Sequence, residues 1–344
     1  MQARLVFVHG IGGLRDPARE LTAWTRALAA GMRAAGHGAA ARDLLSGASG
    51  RPDRHVFVHY ADLFTRGQAQ GGDVLGAPGA AGAGSLEDAA GAEAEILSEL
   101  LVAWVDGVAA GHAERSDERD RRILDHARAQ ARPRAQEQGS LAVVRRALNV
   151  ATTLLALKPW GGAARWITPK MMVSHLGQVA RYLARGEPDD QGVSLDRRIR
   201  ARVGEAIGDG PAVVVAHSLG SVVALETLHQ LTVPVPLLVT LGSPIATRTV
   251  VWPRLLPQPP SVPGCVGAWL NFWDRDDIIA VRPHLERELR PSDTGVTPTS
   301  RRVDSDGAWV HDAEKYLAQP AVAGPVAEAL AAAAGGTGSG GGGG

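Results

Sequence analysis

One cysteine in 344 residues is the chain's sharpest scarcity. Cys265 alone excludes an internal disulfide and a cysteine-rich zinc site, and beside an apolar strand it reads as a buried, inert thiol. An excess of either charge is missing too. The 36 basic residues are matched by 36 acidic ones, so there is no electrostatic footprint for nucleic acid. Only three of the cations are lysines (Lys158, Lys170, Lys315), and the bias to Arg, Ala and Gly looks like GC-rich coding. No window reaches the roughly 18 apolar residues of a membrane-spanning helix. The most apolar helical stretch, Leu141–Leu157, carries Arg145, Arg146 and Asn149 inside it. The N-terminus has no basic segment followed by a separate apolar one, and a core strand is reached by residue 4. No signal peptide is expected, and a soluble cytoplasmic protein is the prediction.

What is present centres on Pro211-Ala-Val-Val-Val-Ala-His-Ser218-Leu-Gly220-Ser221. A β-branched run stops at a serine flanked by small residues, and Val222–Leu228 then reads as a helix with little turn material between. Strand, one-residue elbow and helix is the arrangement that pushes a serine hydroxyl out of a sheet edge as a nucleophile. The elbow crowds the backbone, so the positions two residues to either side must be small; here they are Ala216 and Gly220, giving A-x-S-x-G in place of G-x-S-x-G. An activated serine needs a histidine base, and the histidine needs a carboxylate to hold its tautomer.

This segment resembles the α/β-hydrolase superfamily, lipase/esterase-like branch, in which the chain order is Ser, acid, His. The resemblance implies an α/β-hydrolase fold: a mostly parallel sheet, helices on both faces and a helical insertion serving as cap or lid. Downstream, Val266–Trp273 reads as a strand ending in Asp274-Arg-Asp276-Asp277, where the family places its carboxylate. Asp277, followed by Ile278-Ile279-Ala280, matches the family register best, with Asp276 and then Asp274 as alternatives. Arg301–Asp304 reads as a short last strand, and a loop leads to His311, ahead of a terminal helix with Tyr316-Leu317. His311 is the candidate base; His217 adjoins the serine but points elsewhere, and His284 reads as part of a charged helix. His55, His59, His112 and His126 have no ligand spacing and read as surface or packing residues. Ser243, in the Gly242-Ser-Pro244 turn after a buried strand, is a competing serine, against which Pro244 and the absence of a following elbow helix both argue.

The strand Arg4–Val8 runs into His9-Gly10-Ile11-Gly12-Gly13. Glycines let such a loop fold tightly and expose N–H donors to a developing oxyanion. By resemblance, those donors are the backbone N–H groups of Ile11 and Leu219, with His9 shaping the loop. A nucleotide-binding reading lacks the third glycine, the acidic residue about twenty positions on, and any G-x-x-x-x-G-K-[ST].

Residues 1–60 and 195–333 therefore read as two parts of one hydrolase core. Residues 61–194 read as a helical insertion, and 334–344 as a disordered Gly-rich tail. Within the insertion, Gly71–Gly91 reads as a flexible loop, and Glu93–Ala113 and a solvent-facing Asp117–Ala131 read as helices. Leu141–Leu157 and Met171–Ala184 are amphipathic, joined by Lys158–Gly162, and serve either as a lid over an acyl chain or as a packing or dimer face. The expected activity is hydrolysis of a carboxylic ester through a covalent acyl-enzyme, with no metal and no organic cofactor. The same triad serves thioesterases, amidases, peptidases and acyltransferases. A catalytically silent hydrolase fold used for binding is the other class of reading, and membrane-surface contact through the insertion can coexist with hydrolysis.

Overall fold

In the computed structural model the described residues are 3–10, 12, 16–50, 54–70, 83–112, 117–133, 140–154, 156–157, 169–275, 277, 279–280, 284–305 and 310–335. Six segments form strands, the first five mainly apolar and the last polar: β1 (Arg4–Val8), β2 (His55–Val58), β3 (Ala212–His217), β4 (Leu237–Leu241), β5 (Trp269–Asp274) and β6 (Pro298–Val303). They make one sheet in the order β2-β1-β3-β4-β5-β6, and every neighbouring pair is parallel. Parallel strands need crossover connections, which cover both faces of the sheet. All six residues of the central β3 are accordingly buried. Side chains alternate along each strand. Leu5, Phe7, Val213 and Val215 enter one core, and Val6, Val8, Val214 and Ala216 enter the other. The chain is thus of the α/β class, with helices packed on both faces of the sheet.

The first helices are α1 (Pro17–Ala34), α2 (Gly38–Gly50), α3 (Ala61–Gln70), α4 (Ala83–His112), α5 (Glu118–Ala131) and α6 (Ser140–Leu154). They are followed by α7 (Pro169–Leu183), α8 (Leu195–Ile207), α9 (Leu219–Leu228), α10 (Ala313–Leu317) and α11 (Pro320–Gly335). Helix α1 begins where Asp16 accepts from the N–H groups of Ala18 and Arg19 and Pro17 supplies a preset φ. Its inner face, Trp24, Leu28 and Met32, recurs every four residues and packs on the sheet together with α2, α10 and α11. On the opposite face lie α8 and α9, with α4–α7 gathered beside them.

Residues 61–194 contribute helices and, among those described, no strand. Four details depart from the reading of the sequence. Helix α4 begins at Ala83, ten residues before the expected Glu93, so part of the Gly/Ala-rich stretch is helical: alanine offsets glycine there. Helices α2 and α3 were not expected from patterning at all. Helix α5 is charged but not wholly solvent-facing, because Leu124, Ala127 and Ala131 are buried against α4 and α6. His284 precedes a three-residue 3₁₀ turn, Leu285–Arg287, not a longer helix. The apolar stripes of α6 (Ala147, Val150, Ala151, Leu154) and α7 (Val173, Leu176, Val179, Leu183) are buried. Residues 71–82, the Lys158–Gly162 connection and the tail from 336 lie outside the described residues. Among those described, no helix is long and apolar enough to cross a membrane, and the exposed large hydrophobics are Val144 and Leu256.

A buried ionic network fastens α7 to the core. Glu226 on α9 accepts from Tyr182 Oη (2.6 Å), from Arg185 (2.5 and 2.8 Å), from Arg200 on α8 (2.9 Å) and from the N–H of Leu256 (3.0 Å). Asp196 balances the second guanidinium, 2.9 Å from Arg200 and 3.2 Å from Arg185. Two carboxylates therefore face two guanidiniums out of water, and removing one partner strands the others. Glu226→Ala is expected to lower unfolding free energy by about 3–5 kcal/mol, read from denaturant midpoints. A loss below about 1 kcal/mol, the value of a surface pair, would contradict this account.

Candidate active site

Strand order reverses between β1 and β3: the chain moves from β1 to β2 on one side and from β3 to β4 on the other. Crevices beyond the carboxyl ends of such neighbours are where open α/β sheets hold ligands. The loop after β1 and the turn after β3 meet there. A Cβ placed on Gly10 would lie 2.5 Å from Ser218 Cβ and 3.2 Å from Ser218 Oγ.

Ser218 joins β3 to α9 with φ 53° and ψ −129°, a left-handed conformation that costs a non-glycine residue about 1–3 kcal/mol. Its N–H donates to Leu241 O (3.0 Å), and its carbonyl accepts from the N–H (2.9 Å) and hydroxyl (2.6 Å) of Ser221. The requirement for a small residue at 220 is steric, since a side chain there would run into the carbonyl oxygens of Val8 and His9. Leu219 opens α9, so its N–H belongs to the first turn, whose donors have no acceptor within the helix. Ile11 lies outside the described residues.

His311, on the segment following β6, points its Nε2 at Ser218 Oγ (2.9 Å) and its Nδ1 at Asp277 Oδ1 (2.9 Å) and Oδ2 (2.8 Å). With the carboxylate accepting from Nδ1–H, Nε2 is left as the acceptor of the serine hydroxyl proton. All three side chains are buried, Ser218 at 1% exposure, Asp277 at 4% and His311 at 5%. This is a hydroxyl–imidazole–carboxylate relay assembled beyond the ends of three different parallel strands, and such a relay can activate the hydroxyl for attack. Of the two described acids among the three considered, Asp277 is bonded to His311. Asp274 ends β5 and accepts instead from the N–H of Ser305 (2.5 Å), and Asp276 lies outside the described residues. Ser243 is bonded to Ser221 Oγ (2.7 Å).

Burial by itself would push the Asp277 carboxyl up. The positive charge His311 can carry, with hydrogen bonds from His311, Tyr316 and the N–H of Ile279, outweighs it and holds Asp277 below the usual carboxylate range. Tyr316 donates to Asp277 Oδ2 (2.7 Å) and accepts from the N–H of Asp274 (2.9 Å). Burial and the neighbouring carboxylate push the Tyr316 phenol well above its ordinary value, so it stays a donor. Gly242, at φ 53°, makes room for this pair: a Cβ there would lie 2.5 Å from Asp277 Oδ2 and 3.0 Å from His311 Nδ1.

Two histidines frame the site. His217 donates from Nε2 to the carbonyl of His311 (2.8 Å), and its ring lies 4.6 Å from the His311 ring. The His9 ring accepts from the N–H of Tyr60 at Nε2 (3.2 Å) and faces Gly10 O with Nδ1 (2.5 Å), while Tyr60 Oη donates to His9 O (2.5 Å). Sequence reasoning missed Tyr316 and His217 as supports of Asp277 and His311. Only their nearness in sequence to His311 and Ser218 hinted at it. Cys265 is half-buried, donates to Leu228 O (3.3 Å), and has its thiol pushed up by burial. Among the described residues no cluster of His, Cys, Asp or Glu could hold a metal ion. Comparison of the chain with protein-family models, curated proteins and solved structures finds no match.

Asp277's depressed folded value means that its stabilising contribution is complete above the ordinary Asp value. The contribution is lost as pH falls through the folded value. Tyr316→Phe removes a donor to the charged form, raising the folded value and moving this acid loss to higher pH. At neutral pH the substitution is expected to cost about 1.5–3 kcal/mol, the worth of a hydrogen bond to a charged group. Denaturant unfolding of both proteins from pH 3 to 7 checks both the size and the direction.

Proposed function

We propose that this protein is a serine hydrolase of the lipase/esterase-like kind, built on an α/β-hydrolase fold and cleaving a carboxylic ester. The observation that carries the reading is the Ser218–His311–Asp277 relay, at 2.9 and 2.8 Å, at the strand-order reversal of a parallel sheet. Ser218 Oγ attacks the ester carbonyl as His311 Nε2 takes its proton. Asp277 keeps the imidazole in the receiving tautomer and stabilises its charged form. The tetrahedral oxyanion is held by the N–H groups of Leu219 and Ile11, the former favoured by the positive end of α9. His311 returns the proton to the departing alcohol, leaving an acyl group on Ser218. Water, deprotonated by the same imidazole, then releases the acid and restores the hydroxyl.

A fluorophosphonate probe tests this directly. Wild type is expected to be labelled, Ser218→Ala not at all, and His311→Ala far more slowly. Turnover of p-nitrophenyl butyrate should fall roughly 10⁴- to 10⁶-fold in both variants. Well-folded wild type that neither labels nor turns over esters would reject the reading.

A further inference from the structure

Helix α7 presents a polar stripe that its amphipathic packing does not require. Gln178 and Tyr182 are four residues apart, on one side of the helix, and Arg185 follows just beyond its end at φ 57°. Tyr182 and Arg185 end on Glu226, inside the helix that Ser218 begins. Gln178 reaches the other wall of the crevice. Its Nε2 donates to Gly12 O (2.9 Å) and its Oε1 accepts from Gly12 N–H (2.9 Å). A carboxamide that satisfies both backbone groups of one residue fixes that residue's orientation as well as its position. Gly12 lies two residues beyond Gly10, the residue packed on Ser218 Oγ. The other end of the same loop is held by His9 and Tyr60.

We infer that Gln178 is a positioning residue for oxyanion stabilisation: it clamps the Gly-rich loop after β1 in register with Ser218, with α7 as the rigid arm between them. The inference rests on the hydrolase reading. Because Gly12 N–H is engaged by Gln178, the clamp commits that amide to the insertion and removes it from the donors open to an oxyanion. The opposite end of the arm is referenced through Glu226 to the helix bearing Leu219 N–H, so Gly12 and that helix are tied together through residues outside the relay. On this account α7 is part of the site's frame and does not swing away during turnover.

The test compares wild type with Gln178→Met, which keeps the side chain's length but makes neither bond, and with Gln178→Ala. With p-nitrophenyl butyrate, both variants should lose roughly 10- to 100-fold in kcat, the scale of a small misplacement of reacting groups. KM should stay within about twofold. Inhibition by butylboronic acid, whose serine adduct carries a tetrahedral oxygen at the oxyanion position, should weaken by the same factor as kcat. Amide hydrogen exchange in the peptide spanning residues 9–16 should quicken, with cooperative unfolding retained. A folded Gln178→Met enzyme with wild-type kcat and boronate affinity overturns the inference and leaves the hydrolase reading standing. Wild type that fails to label and to turn over overturns the hydrolase reading and, with it, the role given to Gln178.

Discussion

The left-handed backbone of Ser218 is the constraint on which the rest of the site depends. A serine does not adopt φ 53° for local reasons; surrounding contacts must over-determine it. Here a fully buried strand enters the turn and a helix buried along all ten residues leaves it. The Ser218 N–H is fixed by β4, and its carbonyl by Ser221. Such a turn cannot relax without moving two cores, one on each face of the sheet. The same conformation leaves Oγ 2.9 Å from the imidazole Nε2 and starts α9 at the next residue, so the hydroxyl and the first turn of the helix are set by one backbone event.

Helix α9 can serve as a fixed reference only if it does not slide, and Glu226 sits where sliding is most costly. A carboxylate at the far end of an otherwise apolar, fully buried helix would be ruinous alone. With two guanidiniums, a phenol and a backbone N–H around it, it instead dictates where α7, α8 and the Leu256 segment must lie. Arg185 takes up φ 57° just beyond α7, and its grip on Glu226, Asp196 and Arg254 O holds that strained residue. Arg254 in turn pairs with Glu99 on α4 at 2.9 Å. Apolar packing would hold these helices together in several registers, whereas directional hydrogen bonds to one carboxylate select one.

Much of this was legible in the sequence, for identifiable reasons. Strands β1 to β5 announce themselves because parallel strands in a covered sheet read as apolar runs, whereas β6, an edge strand with two arginines, is legible only as a short run at Arg301–Asp304. The turn at Ser218 does so because its crowding demands small residues at fixed positions. Among the three acids, Asp277 was favoured by register alone, and its contact with His311 depends on the path of a loop that no periodicity describes. Helices α2 and α3 escaped notice because short Ala/Gly-rich segments carry weak patterning. The onset of α4 escaped for the same reason. Tyr316, His217, Gln178 and the partners of Glu226 could not be paired from sequence, since each bond joins elements 39 or more residues apart. The exceptions are Arg200 and Leu256, 26 and 30 residues from Glu226.

Burying Asp277 is physically expensive, and the surroundings explain why the charge survives. A carboxylate at the end of a sheet with no partners would take up a proton and stop orienting the imidazole. Two of its partners, His311 and Tyr316, come from the segment after β6, and the third is the N–H of Ile279 in its own loop. Tyr316 is suited to the task because burial and that carboxylate push its phenol well above its ordinary value, which keeps it a donor. It also receives the N–H of Asp274, tying the end of β5 to the same point. A water molecule could supply one hydrogen bond here, but it could not fix the carboxylate plane relative to α10. Because Tyr316 and His311 lie five residues apart in one segment, any displacement of that segment moves the base and the acid's support together. The distances from His311 to Ser218 and Asp277, which lie beyond β3 and β5, are therefore set by how β6 and α10 pack against the rest of the sheet, and the Tyr316 bond to Asp277 ties that packing to the same carboxylate.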